Sequence, residues 1–490
     1  METMPNYNLQ LIIPEVFLFL WALFIITYDL GTKRKNAQSL GYLSMGGLAI
    51  TGVLIFIFYG GITFKNMFQS DQLALFFKVI FLGSSFMAIG SSFGITKERI
   101  KNHRGEFYGL ILFSTVGMMF LSSASELISI YVGLELTTIP LFILASFYKD
   151  DKISVEAGLK YFIVGAFSSA ILLYGFSIIY GLTGSTDIVQ IKINLSLLFL
   201  SYGKIGPGLI LAFIMIIAGI GFKLALVPFH MWAPDVYQGA PTPITALLSV
   251  GSKAAGVVAF LRIFDNGLVA FADEVMQPLD WGIIIAVLAS AAMILGNLTA
   301  LRQKNIKRML AYSSIAQIGY IMVGAIAISD IGVASVGYYL FIYLFANMGA
   351  FAVATIFFDE TGSDDISRYA GLSKSSPVIA ACMSVFMLSL AGIPPLGGFA
   401  AKYMVFAAGI DAGYLWLVIL ALLTSVVSLY YYAYVIKMMY FAPDESIVKI
   451  TPPLATGIVL TIGVAGLFIF GIFPEVILKF AMNTAKVFAF

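Results

Sequence analysis

Five charged side chains sit inside long apolar stretches of this sequence: Lys78, Glu135, Lys223, Lys253 and Lys402. A charge at the centre of a bilayer-spanning helix costs at least about 2.5–3.5 kcal/mol, so such groups are kept where they face a partner or water and do work. Lysines and a glutamate suit one kind of work, the movement of protons. A lysine in a dry site gives up its proton more easily than in water, and a nearby carboxylate restores its charge. Separating the two by a few ångströms releases the proton. Glu135 with Lys223 is the natural switch pair, Lys253 can receive the proton and Lys402 can pass it on.

Each residue carries its own spacing argument. Glu135, in Tyr131-Val-Gly-Leu-Glu135-Leu-Thr-Thr-Ile-Pro140, lies eight residues into an apolar run, roughly 12 Å deep at the helical rise. The plainer reading is a protonated glutamate tying two helices together. Around Lys253, the residues Thr242, Thr245, Ser249, Ser252 and Gly256 share a wedge of about 100° on a helix. A helix–helix seam would explain the hydroxyls but does not need a lysine. Lys223 comes five residues before Pro228, and Lys402 follows Gly392-Ile-Pro394-Pro395-Leu-Gly397-Gly398. Proline frees backbone carbonyls, and interrupted helices at membrane depth border water or ion sites. Lys78 is only six residues into its span, within reach of the interface by snorkelling, and reads as structural. Glu15 and Glu126 read as interfacial, and Ser125 as a helix cap. Two further stripes, Ser313/Gln317/Tyr320/Gly324 and Ser335/Tyr339/Tyr343/Asn347, suit either water chains or ordinary packing.

The elements that hold these residues are transmembrane helices. The 490 residues are 60% hydrophobic and 11% charged, too apolar for a water-facing surface. Apolar blocks long enough to cross about 30 Å of hydrocarbon recur along the chain. Hydropathy places fourteen spans, near 9–29, 39–60, 72–95, 107–124, 127–147, 158–181, 207–233, 242–263, 280–300, 308–328, 332–357, 377–408, 415–438 and 453–474. Spans seven and twelve are long and interrupted. Of the 28 Lys and Arg, 18 fall on one side of the spans, 6 on the other and 4 within them. Basic loops stay cytoplasmic, which puts Lys33, Arg34, Lys35, Lys97, Arg99, Lys101, Arg104, Arg302, Lys304, Lys307 and Arg308 inside and both termini outside. The expected fold class is an all-α integral membrane protein, with 1–490 one polytopic domain.

Ala218-Gly-Ile before the first interruption recurs as Ala391-Gly-Ile before the second, five spans later. An odd offset inverts the unit, as in inverted-repeat transporters. A net charge of +2 gives no reason to expect nucleic acid. The single Cys382 and the scattered His103 and His230 make a cluster or metal in this chain alone unexpected. The sequence lacks a dinucleotide fingerprint or phosphate loop, so energy for uphill transport must come from a gradient or from partner subunits.

At these residues the chain resembles the antiporter-like membrane subunits of respiratory complex I, NADH-quinone oxidoreductase. The resemblance runs through nearly the whole chain, most clearly over 105–440. It rests on Gly133-Leu-Glu135-Leu-Thr-Thr-Ile-Pro140, Lys160-Tyr-Phe-Ile-Val-Gly-Ala-Phe-Ser-Ser-Ala170, Pro228-Phe-His-Met-Trp-Ala-Pro-Asp235-Val-Tyr-Gln-Gly-Ala-Pro241, Gln303-Lys-Asn-Ile-Lys-Arg-Met-Leu-Ala-Tyr-Ser-Ser314 and Ala391-Gly-Ile-Pro-Pro-Leu-Gly-Gly-Phe399 with Lys402. The length and the 160–170 segment favour a shorter member over the largest one, which has an extra long C-terminal helix. The resemblance implies fourteen helices with two inverted five-helix repeats, 107–263 and 280–438. It implies that Glu135, Lys223, Lys253 and Lys402 match the family's proton-transfer residues. It further implies a bacterial plasma membrane location and a multisubunit translocase in which FMN, iron–sulfur clusters, NADH and the quinone (ubiquinone or another) belong to other subunits of the respiratory chain. This chain then carries protons and no electrons. The competing readings are a subunit of a stand-alone cation/proton antiporter and a membrane scaffold in which the buried charges are dispensable.

Overall fold

Glycine and proline decide where the long helices of this protein stop, and the stops position its buried charges. The computed structural model describes residues 7–32, 37–94, 100, 103–202, 206–264, 281–443 and 449–486. Lys33, Arg34, Lys35, Lys97, Arg99 and Lys101, on which much of the orientation argument rests, lie outside the described residues. So do position 280 and the outermost residues of both termini.

The chain folds as helices α1 (Ile13–Gly31), α2 (Ala37–Ile57), α3 (Gln72–Ser91), α4 (Arg104–Ser123), α5 (Leu127–Ala145), α6 (Lys152–Thr183), α7 (Ile188–Tyr202) and α8 (Pro207–Leu224), followed by the short α9 (Trp232–Gly239). Next come α10 (Thr242–Ile263, with an internal π turn), α11 (Trp281–Ala300), α12 (Ile306–Ala325), α13 (Asp330–Thr361), α14 (Pro377–Ala391), α15 (Gly397–Asp411), α16 (Leu415–Phe441), α17 (Leu454–Ile472) and α18 (Glu475–Ala485). Twelve of the helical stretches are long and apolar enough to cross a membrane. Of the other two expected spans, the one near 308–328 falls on α12, whose start carries Lys307 and Arg308, and the one near 377–408 falls on the broken pair α14/α15. The sequence reading gave no sign of α7 or of a small hairpin, β1 (Gly61–Thr63) with β2 (Phe68–Ser70), paired antiparallel through a turn at Phe64–Asn66.

Helices α10 and α13 are surrounded on every side, and their most apolar windows are wholly buried. A helix that is apolar all round belongs at a bundle centre. Their hydroxyl and amide side chains therefore face the protein interior. By contrast α6 and α16 present rows of exposed Ile, Leu, Val and aromatic side chains, the face a lipid or a neighbouring subunit covers.

The two breaks share one backbone design. At the end of α8, Ala225 takes a left-handed conformation (φ 55°), and Leu226 N–H bonds back to Gly221 O at 2.8 Å. At the end of α14, Gly392 is left-handed (φ 87°), and Ile393 N–H bonds to Leu388 O at 3.0 Å. This six-residue closure satisfies carbonyls that the helix end would orphan. Pro228 and Pro395 follow at the same interval. The match sets Ala225 against Gly392, not Gly219 against Gly392 as the Ala-Gly-Ile triplets suggest, because the triplets stop at different distances from the prolines.

Candidate proton path

Lys223 occupies the last turn of α8, where the negative end of the helix dipole favours a cation. It is 5% exposed, and Nζ donates to Thr138 Oγ1 of α5 at 2.6 Å. A methyl group built on Gly256 of α10 would stand 3.1 Å from Lys223 Cγ, so the glycine leaves room for the lysine stem. Glu135 is three residues before Thr138 on the same helix, one turn from the hydroxyl that holds Lys223. The two form no direct salt bridge among the described residues. Glu135 is only half-buried and shares its face with the exposed Ile128, Val132, Ile139 and Ile143. The two residues expected to form the switch are thus held apart, the lysine inside and the carboxylate at the bundle's edge.

Lys253 follows directly on a π turn, Leu248–Ser252. Such wide turns inside α-helices are frequent at functional sites. The side chain is 1% exposed and donates to the carbonyl of Ser314 on α12 at 2.9 Å. The wedge predicted around it is only partly a water-facing stripe. Thr245 and Ser249 hydroxyls bond back to Tyr237 and Ala246 carbonyls, and Asn347 Nδ2 donates to Ser249 Oγ at 2.6 Å.

Beyond Lys253 the groups with spare hydrogen-bonding capacity converge. Ser314 Oγ, Tyr237 Oη, Tyr343 Oη and Asn347 Oδ1 are buried without a hydrogen-bond partner among the described residues. Ser314 lies near both tyrosine hydroxyls. Buried polar groups placed this way are the sites that bridging water fills. Tyr343 also lines a small cavity with Gln317, Tyr339, Ser389 and Lys402. Within it Tyr339 Oη donates to Gln317 Oε1, and Gln317 Nε2 donates to Leu390 O at 3.2 Å and Tyr432 Oη at 3.1 Å. The two stripes that the sequence left open between water chain and packing therefore divide. Gln317, Tyr339 and Tyr343 line the cavity beside Lys402. Ser313 is taken by Tyr432, and Ser335 bonds back to Gly332 within its own helix.

Lys402, in α15, folds back over the interruption. Nζ donates to Ala391 O at 3.0 Å and Ser425 Oγ at 2.9 Å, and stands 5.1 Å from the Tyr320 ring centre. Tyr320 is itself held by Asn297 Nδ2 at 2.9 Å and Thr424 at 3.3 Å. Thr138, Ser314, Ser425, Asn297 and Tyr432 went unnoticed as candidates. Each is a common residue type on an apolar helix, and only the fold sets it against a lysine or its supports.

Three sequence expectations need correction. Lys78 does not snorkel: it is 2% exposed, and Nζ lies 2.6 Å from Glu15 Oε1 on α1. Glu15 is correspondingly 0% exposed rather than at a wet boundary. A lone lysine near a helix end snorkels, but here an anion two helices away in sequence holds it in. Ser125 caps nothing. Its hydroxyl donates to Asn66 O, while Glu126 takes the cap position and accepts from Ser129 and Thr186.

The segment after the first break forms a charged knot instead of a relay site. Asp235 of α9 accepts from Lys160 of α6 and Arg308 of α12, each at 2.7 Å, and Lys160 also meets Glu156 at 2.7 Å. Partial burial of Asp235 works against its charge, but the two donors outweigh it and hold the carboxyl below its usual range.

Comparison with known proteins follows these residues. Residues 124–428 match a family described as NADH:quinone oxidoreductase/Mrp antiporter, TM. NADH-quinone oxidoreductase subunit N of Moorella thermoacetica is 42% identical over 488 residues, covering 98% of this chain and 99% of that one. A chain of respiratory complex I from Thermus thermophilus superposes with a TM-score of 0.79 at 32% identity, covering 95% and 99%. A chain of the Mrp complex from a Dietzia species superposes at 0.80 with 19% identity over 98% and 97%, a likeness of fold alone. The identity over full length decides between them: this chain belongs to the NADH-quinone oxidoreductase subunit N family.

Proposed function

We propose that this chain is the subunit N of a bacterial NADH-quinone oxidoreductase and carries protons through Glu135, Lys223, Lys253 and Lys402. The observation that supports the path best is the placement of its lysines. Each is buried, and each ammonium lies beside a helix break or a π turn, on oxygen atoms rather than a carboxylate. An ammonium bound only by hydroxyls and carbonyls can lose its proton without breaking a salt bridge, which a tight Lys–carboxylate pair would resist.

The contacts support the following order of events. Glu135 faces out of the bundle, where a neighbouring subunit can alter its charge or position. Attraction to Glu135 holds the proton on Lys223, and withdrawal of the carboxylate lets it leave for Lys253. From Lys253 the proton moves through water bridging Ser314, Tyr343 and the Gln317–Tyr339 cavity to Lys402. NADH, flavin, iron–sulfur clusters and the quinone belong to partner subunits, and the redox reaction there drives the change at Glu135. Residues 107–263 and 280–438 act as the two inverted halves. Both termini lie on the outer side of the plasma membrane.

The family description also names Mrp antiporters, and the fold is common to both, so a stand-alone cation/proton antiporter is the reading to test against. Mild-detergent purification through a tag, native electrophoresis and an in-gel NADH dehydrogenase stain separate the two. A large NADH-active band with flavin and iron–sulfur subunits supports the proposal. A smaller inactive band made of other hydrophobic subunits overturns it in favour of the antiporter.

A further inference from the structure

Helix α3 carries a second set of polar groups, most of them buried, that the path above does not use. Asp71, Lys78, Ser85 and Ser92 recur every seven residues, so they line one face of the helix. Asp71, at the N-cap, forms a two-pronged pair with the fully buried Arg262 guanidinium at 2.6 and 2.7 Å. Arg262 comes near the end of α10, two and a half turns beyond Lys253, and also donates to Ser122 O. Asp71 borders a cleft of about 620 Å³, with Tyr59, Gln69, Gln72, Asn483 and Lys486 on its walls.

At the other end of the face, α3 meets the π turn that precedes Lys253. A methyl group built on Gly251 would stand 2.8 Å from Ser84 Oγ. Next to Ser84, Ser85 and Thr115 of α4 share a hydrogen bond of 2.6 Å. Between these two ends lie Lys78 and Glu15. Their contact is 2.6 Å, but it is poorly aligned for a hydrogen bond, and Glu15 Oε2 has no partner at all among the described residues. A carboxylate buried this completely with an idle oxygen has lost its water and gained one cation in return. A purely structural role leaves that oxygen unexplained.

We propose that Glu15 and Lys78 form an outward proton station between the Lys253 turn and the Asp71 cleft. The inference rests on the proton-carrying function proposed above. A proton that leaves the Lys253 side by this second branch, instead of passing to Lys402, reaches Glu15 Oε2 and forms the carboxylic acid. Lys78, now facing a neutral partner, is left as an uncompensated buried ammonium, and its repulsion favours loss of that proton to water at the cleft. The carboxylate then re-forms and the pair closes. Ser85 and Lys78 are seven residues apart, about 10 Å along the helix, with the Phe77 and Phe81 rings next to each other on the same helix. Transfer across that interval needs transient hydration, which makes the interval the gate.

The test uses the assembled enzyme in inverted membrane vesicles, reading proton uptake and NADH oxidation together. The Glu15→Gln/Lys78→Met double variant removes the carrier without stranding a charge. The station requires it to lose part of the proton uptake per NADH oxidised. A structural pair requires an unchanged ratio, and that result overturns the proposal. Glu15→Asp, which keeps the charge and shortens the arm, is the second variant. It must move the pH profile of the uptake ratio, and an unmoved profile also counts against the station. If the unaltered enzyme oxidises NADH without moving protons, or contains no NADH-oxidising subunits, the underlying function has failed instead.

Discussion

Lys402 reaches back across the interruption in its own crossing, so that its ammonium lies 3.0 Å from the carbonyl of Ala391. The cation sits at the carbonyl end of α14, although its backbone belongs to α15. Lys223 meets the equivalent end of α8 from within α8 itself. The two lysines thus reach similar electrostatic positions from opposite sides of a break.

Lys402→Arg distinguishes a relay from a fixed charge. Arginine keeps the positive charge and the bond to Ala391 O within reach, but it does not release its proton in proteins. The variant is expected to assemble and to lose proton uptake per NADH oxidised, as Lys402→Met does. Vesicle fluorescence quenching alongside NADH oxidation reads this. Full uptake in Lys402→Arg would make the residue a static counter-charge.

Thr138→Val tests the hold on Lys223. The swap preserves shape and removes the single hydroxyl that Nζ bonds at 2.6 Å. A hydrogen bond to a charged group contributes about 1.5–3 kcal/mol, so occupancy of this position by the ammonium falls roughly ten- to a hundredfold. Coupled NADH oxidation should slow while assembly, read by native electrophoresis, is unchanged. An unslowed enzyme would show that Glu135 alone holds the proton there.

The sequence made the buried charges and the long apolar spans legible because both are written in single residues or in runs of one residue type. Lys253 is visible as a lysine among apolar neighbours, whatever its contacts. Its π turn is not, since Leu248–Ser252 has an ordinary helical composition and the extra residue per turn appears only in the backbone. Lys78 departs from expectation for a related reason. Its depth within α3 is visible in the sequence, but Glu15 lies 63 positions earlier, and nothing in either helix alone says that they meet. The register of the repeat failed because three small residues recur easily in membrane helices, whereas the left-handed residue and its back-bond depend on geometry.

The two breaks predict opposite effects of one methyl group. Ala225 holds a left-handed conformation that costs an alanine about 1–2 kcal/mol. Ala225→Gly should therefore stabilise the chain by about 1 kcal/mol, less the extra entropy that glycine brings to the unfolded state. Gly392→Ala should destabilise it, because φ is 87° and the new methyl would stand 3.0 Å from Lys402 Cδ. Thermal unfolding of the purified assembly reads both. A loss of stability in Ala225→Gly would mean that its methyl packing outweighs the backbone strain.

Asp235 links pH to the stability of the knot between α6, α9 and α12. Its carboxyl is held below the usual range in the folded chain, where burial is outweighed by Lys160 and Arg308. A group depressed in this way stabilises the fold fully above its unfolded value, about 3.9, and that contribution disappears as pH falls through the lower folded value. The side chain is 37% exposed, so screening limits the effect to about 1 kcal/mol. Asp235→Asn should lower the unfolding temperature by a constant amount from neutral pH down to about pH 5, and the gap from the unaltered chain should then close with further acidification. A gap that persists unchanged into acid would assign the loss to the Gln238–Arg308 hydrogen bond, which does not titrate there, and would leave the carboxylate without a measurable share in holding the three helices together.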